Sequence, residues 1–135
     1  VLLAVGEREA RGLGGFAGNV EAEFMGKKCR GISLPIVPGS RLKQVLSDKA
    51  GGRGPLQHPD ELQLLEQLGG GPTSDGVLLP LMSNDQVVAV LYGDNGKSTS
   101  PVGDTRGLEI FLGEVGIALE KALRRPPVVP AASNL

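Results

Sequence analysis

Two aliphatic runs of strand length, Val77–Met82 and Val87–Tyr92, flank the polar tetrapeptide Ser83-Asn84-Asp85-Gln86. This is the strongest hairpin signal in the sequence, and it commits the chain to an antiparallel pair. Pro80 sits inside the first run without an N–H to donate, so its position belongs at a sheet edge or a bulge. Whatever else the chain forms must extend this hairpin and cover it.

Further strands come from Val1–Val5 and Ala10–Phe16, which face each other across Gly6-Glu7-Arg8-Glu9. Residues Ala17–Lys28 show no clear period and carry Gly18 and Gly26. They read as a long connection that Phe24 and Met25 staple to the core. Cys29–Ile36 alternates weakly and reads as another strand, stopped by Pro38-Gly39. Ser40 then suits the cap of a short helix in which Leu42, Val45 and Leu46 form one apolar stripe.

A break at Ala50–Pro55 precedes a second short helix. Pro59 is tolerated in its first turn, Asp60 and Glu61 suit the positive end of the dipole, and Leu62, Leu64, Leu65 and Leu68 form the buried side. Gly69-Gly70-Gly71-Pro72 ends it. The longest helix spans about Thr105–Arg125, capped by Asp104 or Thr105, with Lys121, Arg124 and Arg125 at its negative end. Leu108, Phe111, Leu112, Val115, Leu119 and Ala122 define the face expected to pack on the sheet. Ile110, Gly113 and Ile117 point roughly opposite, about 140–200° from Leu108, and a helix apolar on two faces calls for cover on both.

This element order implies an α+β fold: an antiparallel sheet of about five strands flanked by helices, forming one domain over 1–125. Residues 126–135, rich in Pro and Ala, read as a linker or disordered tail. The chain opens inside its first strand, so an upstream helix or domain of a longer protein is expected before it.

Charge and cysteine usage exclude several classes. With 14 Lys+Arg against 15 Asp+Glu, scattered along the chain, there is no basic stripe to bind a nucleic-acid backbone. No apolar run approaches the ~20 residues of a membrane span. No leader is visible, and a single cysteine, Cys29, forbids an internal disulfide, which points to a reducing cytoplasm.

Few residues carry chemistry. Cys29 between Lys28 and Arg30 has the surroundings of a reactive thiol, but a thiol packed as a small hydrophobe is the simpler reading. His58 is the only imidazole, and beside Pro59 it reads as a cap or surface residue. Gly12-Leu13-Gly14-Gly15-Phe16-Ala17 matches a dinucleotide fingerprint in letters but lacks its strand-turn-helix context, so it reads as a glycine-rich strand. The acidic pairs Glu7/Glu9, Glu21/Glu23 and Asp60/Glu61 fall in turns or at a helix start. No catalytic residue, no metal set and no cofactor site emerges, and the expectation is a protein that is not an enzyme.

The segment Leu79-Pro80-Leu81 followed by Asn84-Asp85-Gln86-Val87-Val88-Ala89-Val90-Leu91-Tyr92-Gly93-Asp94-Asn95 resembles the C-terminal hairpin of GAF domains. Leu108-Glu109-Ile110-Phe111 through Ala118-Leu119-Glu120-Lys121-Ala122 is similar to that family's closing helix. Ala89 stands where the family commonly has Gly, and the family's N-terminal helix is missing. The resemblance implies a regulatory module of a bacterial signalling protein. The family's cyclic-nucleotide pattern, the several cysteines of its sulfoxide reductases and the Cys-His setting of its bilin binders are all absent here. The leading expectation is therefore a non-catalytic module that dimerises, or docks other domains of its parent protein, through Ile110, Gly113 and Ile117. The alternative is a sensor holding an apolar small molecule between the sheet and the two short helices.

Overall fold

The computed structural model describes residues 1–18, 20–96 and 100–124; the expected tail at 126–135 lies outside them. The chain is α+β, with six strands against the five expected. These are β1 (Leu2–Val5), β2 (Glu9–Gly14), β3 (Ser33–Pro35), β4 (Gly52–Arg53), β5 (Gly76–Ser83) and β6 (Gln86–Asp94). They form one curled antiparallel sheet in the order β3-β2-β1-β6-β5-β4. Four helices accompany it: α1 (Ala22–Arg30), α2 (Arg41–Asp48), α3 (Pro59–Gln67) and α4 (Arg106–Arg124).

The hairpin forms as expected. Asn84 and Asp85 both adopt positive φ, 51° and 61°, the backbone that a two-residue connection needs to match the twist of its strands. The register runs from Gly76↔Asp94 to Ser83↔Gln86, with one irregularity between Leu81 and Met82. Pro80 occupies the place its chemistry requires. The Gly76 carbonyl accepts from Gly54 N–H, so the even-numbered residues of β5 direct their backbone groups toward β4. The last β4 partner is Leu78, and Pro80 falls just beyond it, at an open edge.

Residues 17–28 are not a long connection. Most of that stretch is α1, which also takes Cys29 and Arg30 and leaves only Ser33–Pro35 as strand. The Glu21 carboxylate accepts from Glu23 N–H and Phe24 N–H, and Lys27, Lys28 and Arg30 lie at the opposite end of the dipole. Met25 and Cys29 turn one face inward. The helix approaches β2 where glycine permits it: a Cβ on Gly12 would lie 1.7 Å from the Cys29 carbonyl oxygen, and one on Gly15 would lie 2.7 Å from the Cys29 sulfur.

Strand alternation divides the core in two. Leu3, Leu34, Leu78, Val90 and Tyr92 meet Leu42 and Val45 of α2 and Leu64 and Leu65 of α3 on one face. Leu79, Leu81 and Ala89, flanked by Leu2, Val88 and Leu91, meet Leu112, Val115 and Leu119 of α4 on the other. Glu61 of α3 is 1% exposed. Its two carboxylate oxygens accept from Arg41 N–H and Leu42 N–H, each at 3.0 Å. α3 thereby satisfies donors at the start of α2, beside the Ser40 cap, whose hydroxyl accepts from Lys43 N–H. Tyr92 places its hydroxyl on the Asp94 carboxylate at 2.6 Å; burial first, and that carboxylate second, push its ionisation upward.

Candidate functional site

The helix that carries Ile110, Gly113 and Ile117 is capped locally at its start and tied to the hairpin turn near its end. At its start the Thr105 carbonyl accepts from Glu109 N–H at 2.9 Å. Asp104 accepts from Arg106 N–H and pairs with the Arg106 guanidinium at 2.7 Å. That guanidinium holds the Asp104 carboxyl below its usual range. Toward its end, the Glu120 carboxylate accepts from Asn84 N–H in the hairpin turn at 2.6 Å. The Glu120 contact ties the last turns of α4 to the β5–β6 turn.

The connection leading into α4 is held as well. Asp75 accepts from Val102 N–H at 2.9 Å, from Gly76 N–H at 3.0 Å and from the Arg53 guanidinium at 3.2 Å. These contacts, the Val102 N–H first, draw its carboxyl below the ordinary range.

The line of contact between α4 and the sheet differs from the sequence expectation. Leu112 and Gly116 are buried, with Val115 and Leu119 partly so, whereas Leu108, Phe111 and Ala122 are exposed. A Cβ on Gly116 would lie 2.0 Å from the Met82 carbonyl oxygen. The missing side chain lets the helix settle backbone-to-strand at that point. Its buried face is thereby rotated about 50° from the one read off the leucines and Phe111.

The rotation enlarges the apolar surface left outside. Ile110 is 66% exposed, Phe111 58% and Ile117 56%, and a Cβ on Gly113 would have nothing within 4 Å. All three sequence-derived positions thus stand on the solvent side of α4, and Phe111 joins them. Phe111 was assigned to the wrong face because leucine-like periodicity ignores glycine; Gly116 was the signal that could have placed it. Three large apolar side chains on one helix face form a patch of the kind that takes a partner.

On the same side of the sheet α4 lies over β5, and the distant strands β2 and β3 present polar groups instead. Arg11 and Ser33 flank Glu9, whose carboxylate accepts from both. That end of the sheet is wetted by its own charges.

The other candidates resolve into structural roles. Cys29 is buried on the last turn of α1. His58 caps α3, its Nδ1 accepting from Asp60 N–H at 3.2 Å. The glycines of Gly12–Ala17 receive α1, and the extra residue Leu13 sits where the β1–β2 register shifts between Leu2↔Gly14 and Leu3↔Gly12. The space between the sheet and α2 and α3, where an apolar ligand was envisaged, is filled by Leu42, Val45, Leu56, Leu64, Leu65 and Leu78. Among the described residues no cluster of His, Cys, Asp or Glu has the composition of a metal site, and no helix is long and apolar enough to cross a membrane. Compared with known proteins, the chain matches no family model, no curated protein and no solved structure.

Proposed function

We propose that this chain is a GAF-like regulatory module of a larger bacterial signalling protein. It works in the cytoplasm, without catalysis of its own, by dimerising or by docking another domain through α4. The observation that carries this reading is the exposed apolar face formed by Ile110, Phe111 and Ile117 on a helix whose opposite face is already committed to the sheet. A helix held so firmly transmits what binds it: a partner seated on the outer face is mechanically connected, through Gly116 and Glu120, to β5 and the hairpin turn. The order of hairpin followed by closing helix supports the GAF-like assignment, and the filled space beneath α2 and α3 favours association over ligand sensing.

The test is Ile117→Glu. Because Ile117 makes no core contact, the change leaves the thermal midpoint within the range of ordinary surface substitutions, about ±0.5 kcal/mol. It abolishes self-association in sedimentation velocity, or capture of the neighbouring domain of the parent protein. Unaltered association in both assays rules the reading out.

A further inference from the structure

We propose that α4 pairs with α4 of a second copy in an antiparallel arrangement whose two-fold axis passes between Ile117 and Ala118, so that Glu114 of each chain faces Lys121 of the other. This rests on the association reading above and adds to it the partner, the polarity and the register.

The argument starts from charge. Taking Leu112 as the centre of the packed face, Ile110, Glu114, Ile117 and Lys121 lie at about 140–200° around the helix, along its outward crest. All four are exposed. Glu114 and Lys121 therefore stand within the apolar strip itself and not at its rim. They are seven residues apart, about 10 Å along the axis, too far to pair within one chain. Among the described residues neither belongs to an ion pair; the helix's own pairs use Arg106 with Asp104 and Arg124 with Glu120.

A partner must therefore answer one negative and one positive charge set seven residues apart. A second copy does so only in one sense. In a parallel pair each side chain lies beside its own counterpart, Glu114 against Glu114 and Lys121 against Lys121, and like charges in an interface oppose association. An antiparallel pair centred on Glu114 repeats the first of these conflicts. Moving the axis to lie between Ile117 and Ala118 makes both charges complementary, and two-fold symmetry makes the contact twice.

The same register arranges the remaining side chains. Ile117 lies next to the axis and on the same side of the crest in both chains, so the two isoleucines meet across it. Ile117 sits next to the axis, where the centre of an interface concentrates its binding energy.

The test is a charge-exchange series on the full chain, comparing the wild type with Glu114→Lys, Lys121→Glu and the double variant by sedimentation equilibrium, with circular dichroism to verify folding. Each single exchange turns two attractions into two repulsions and weakens the dimer about tenfold at low salt. The double variant restores the complementary pairs and returns to within about threefold of the wild type. Dimers that ignore the single exchanges, or a double variant no tighter than either single, overturn the register. If such a dimer still dissociates with Ile117→Glu, the broader association reading stands without it. A chain that stays monomeric at all concentrations and captures no partner overturns both.

Discussion

On one side of the sheet, α2 and α3, each under ten residues long, lock Leu42, Val45, Leu64 and Leu65 onto Leu3, Leu78 and Val90. On the other, a 19-residue helix contributes Leu112, Val115 and Leu119 and keeps five large apolar side chains, Leu108, Ile110, Phe111, Ile117 and Leu123, in solvent. Helices of eight or nine residues do not persist in water by themselves. α2 and α3 exist because the core and each other complete them, and they have no surface to spare. α4 is long enough, and well enough terminated at Thr105, to need only one of its faces for folding. The difference separates a side whose helices are spent on the core from a side whose helix keeps a face in solvent.

The contrast can be broken at its glycines. Gly12→Ala drives a methyl group into the Cys29 carbonyl of α1, and should cost about 3 kcal/mol by thermal or denaturant unfolding. Removing the buried carboxylate with Glu61→Ala strands two donors at the start of α2 and should cost about 2 kcal/mol, with Glu61→Gln, which keeps one acceptor, losing about half as much. Gly116→Ala, on the other side, should cost only about 1–2 kcal/mol, because α4 packs on one face and is able to lift by the ~1 Å the added methyl group needs. Its added effect is on association, since the lifted helix no longer presents its outer face from the same position. A larger penalty for Gly116→Ala than for Gly12→Ala would invert the comparison.

The smallest effect is expected at Asp75, which ties the connection before α4 to the start of β5. Its carboxyl is depressed below 3.8, so the stability it contributes is present above that value and is lost as the pH falls through its lower folded value. Asp75→Asn should therefore lower stability slightly at neutral pH and converge on the wild type in acid, which flattens the loss measured below about pH 4. An acid limb as steep as the wild type's would assign that loss to other carboxylates.

The parts of this architecture that announce themselves in the sequence are those with dense local signals. Asn84-Asp85 between aliphatic runs, Ser40 before a leucine stripe, and Pro59 followed by two acids each mark an element that the structure contains. α1 escaped notice because its inward face is only Met25, Gly26 and Cys29, too short and too weakly apolar to register as a period. β4 is two residues long and exists by pairing with β5. The outward position of Ile110, Gly113 and Ile117 was readable from helical spacing, but Phe111 was not. Its placement depends on where a glycine lets two backbones touch, and that is a property of the assembled helix and sheet. Glu61 was legible as a dipole charge; that it caps a neighbouring helix twenty positions earlier is tertiary information.

Pro80 carries a consequence for how copies of the chain meet. Beyond Leu78 the rim of β5 has no neighbouring strand, and an open rim ordinarily invites another extended segment to add to it and grow a fibril. At that spot the proline offers no hydrogen to an incoming strand and its ring obstructs one. The opposite rim is the three-residue β3, which itself ends in Pro35. With strand addition discouraged at both margins, polymerisation through the sheet is disfavoured.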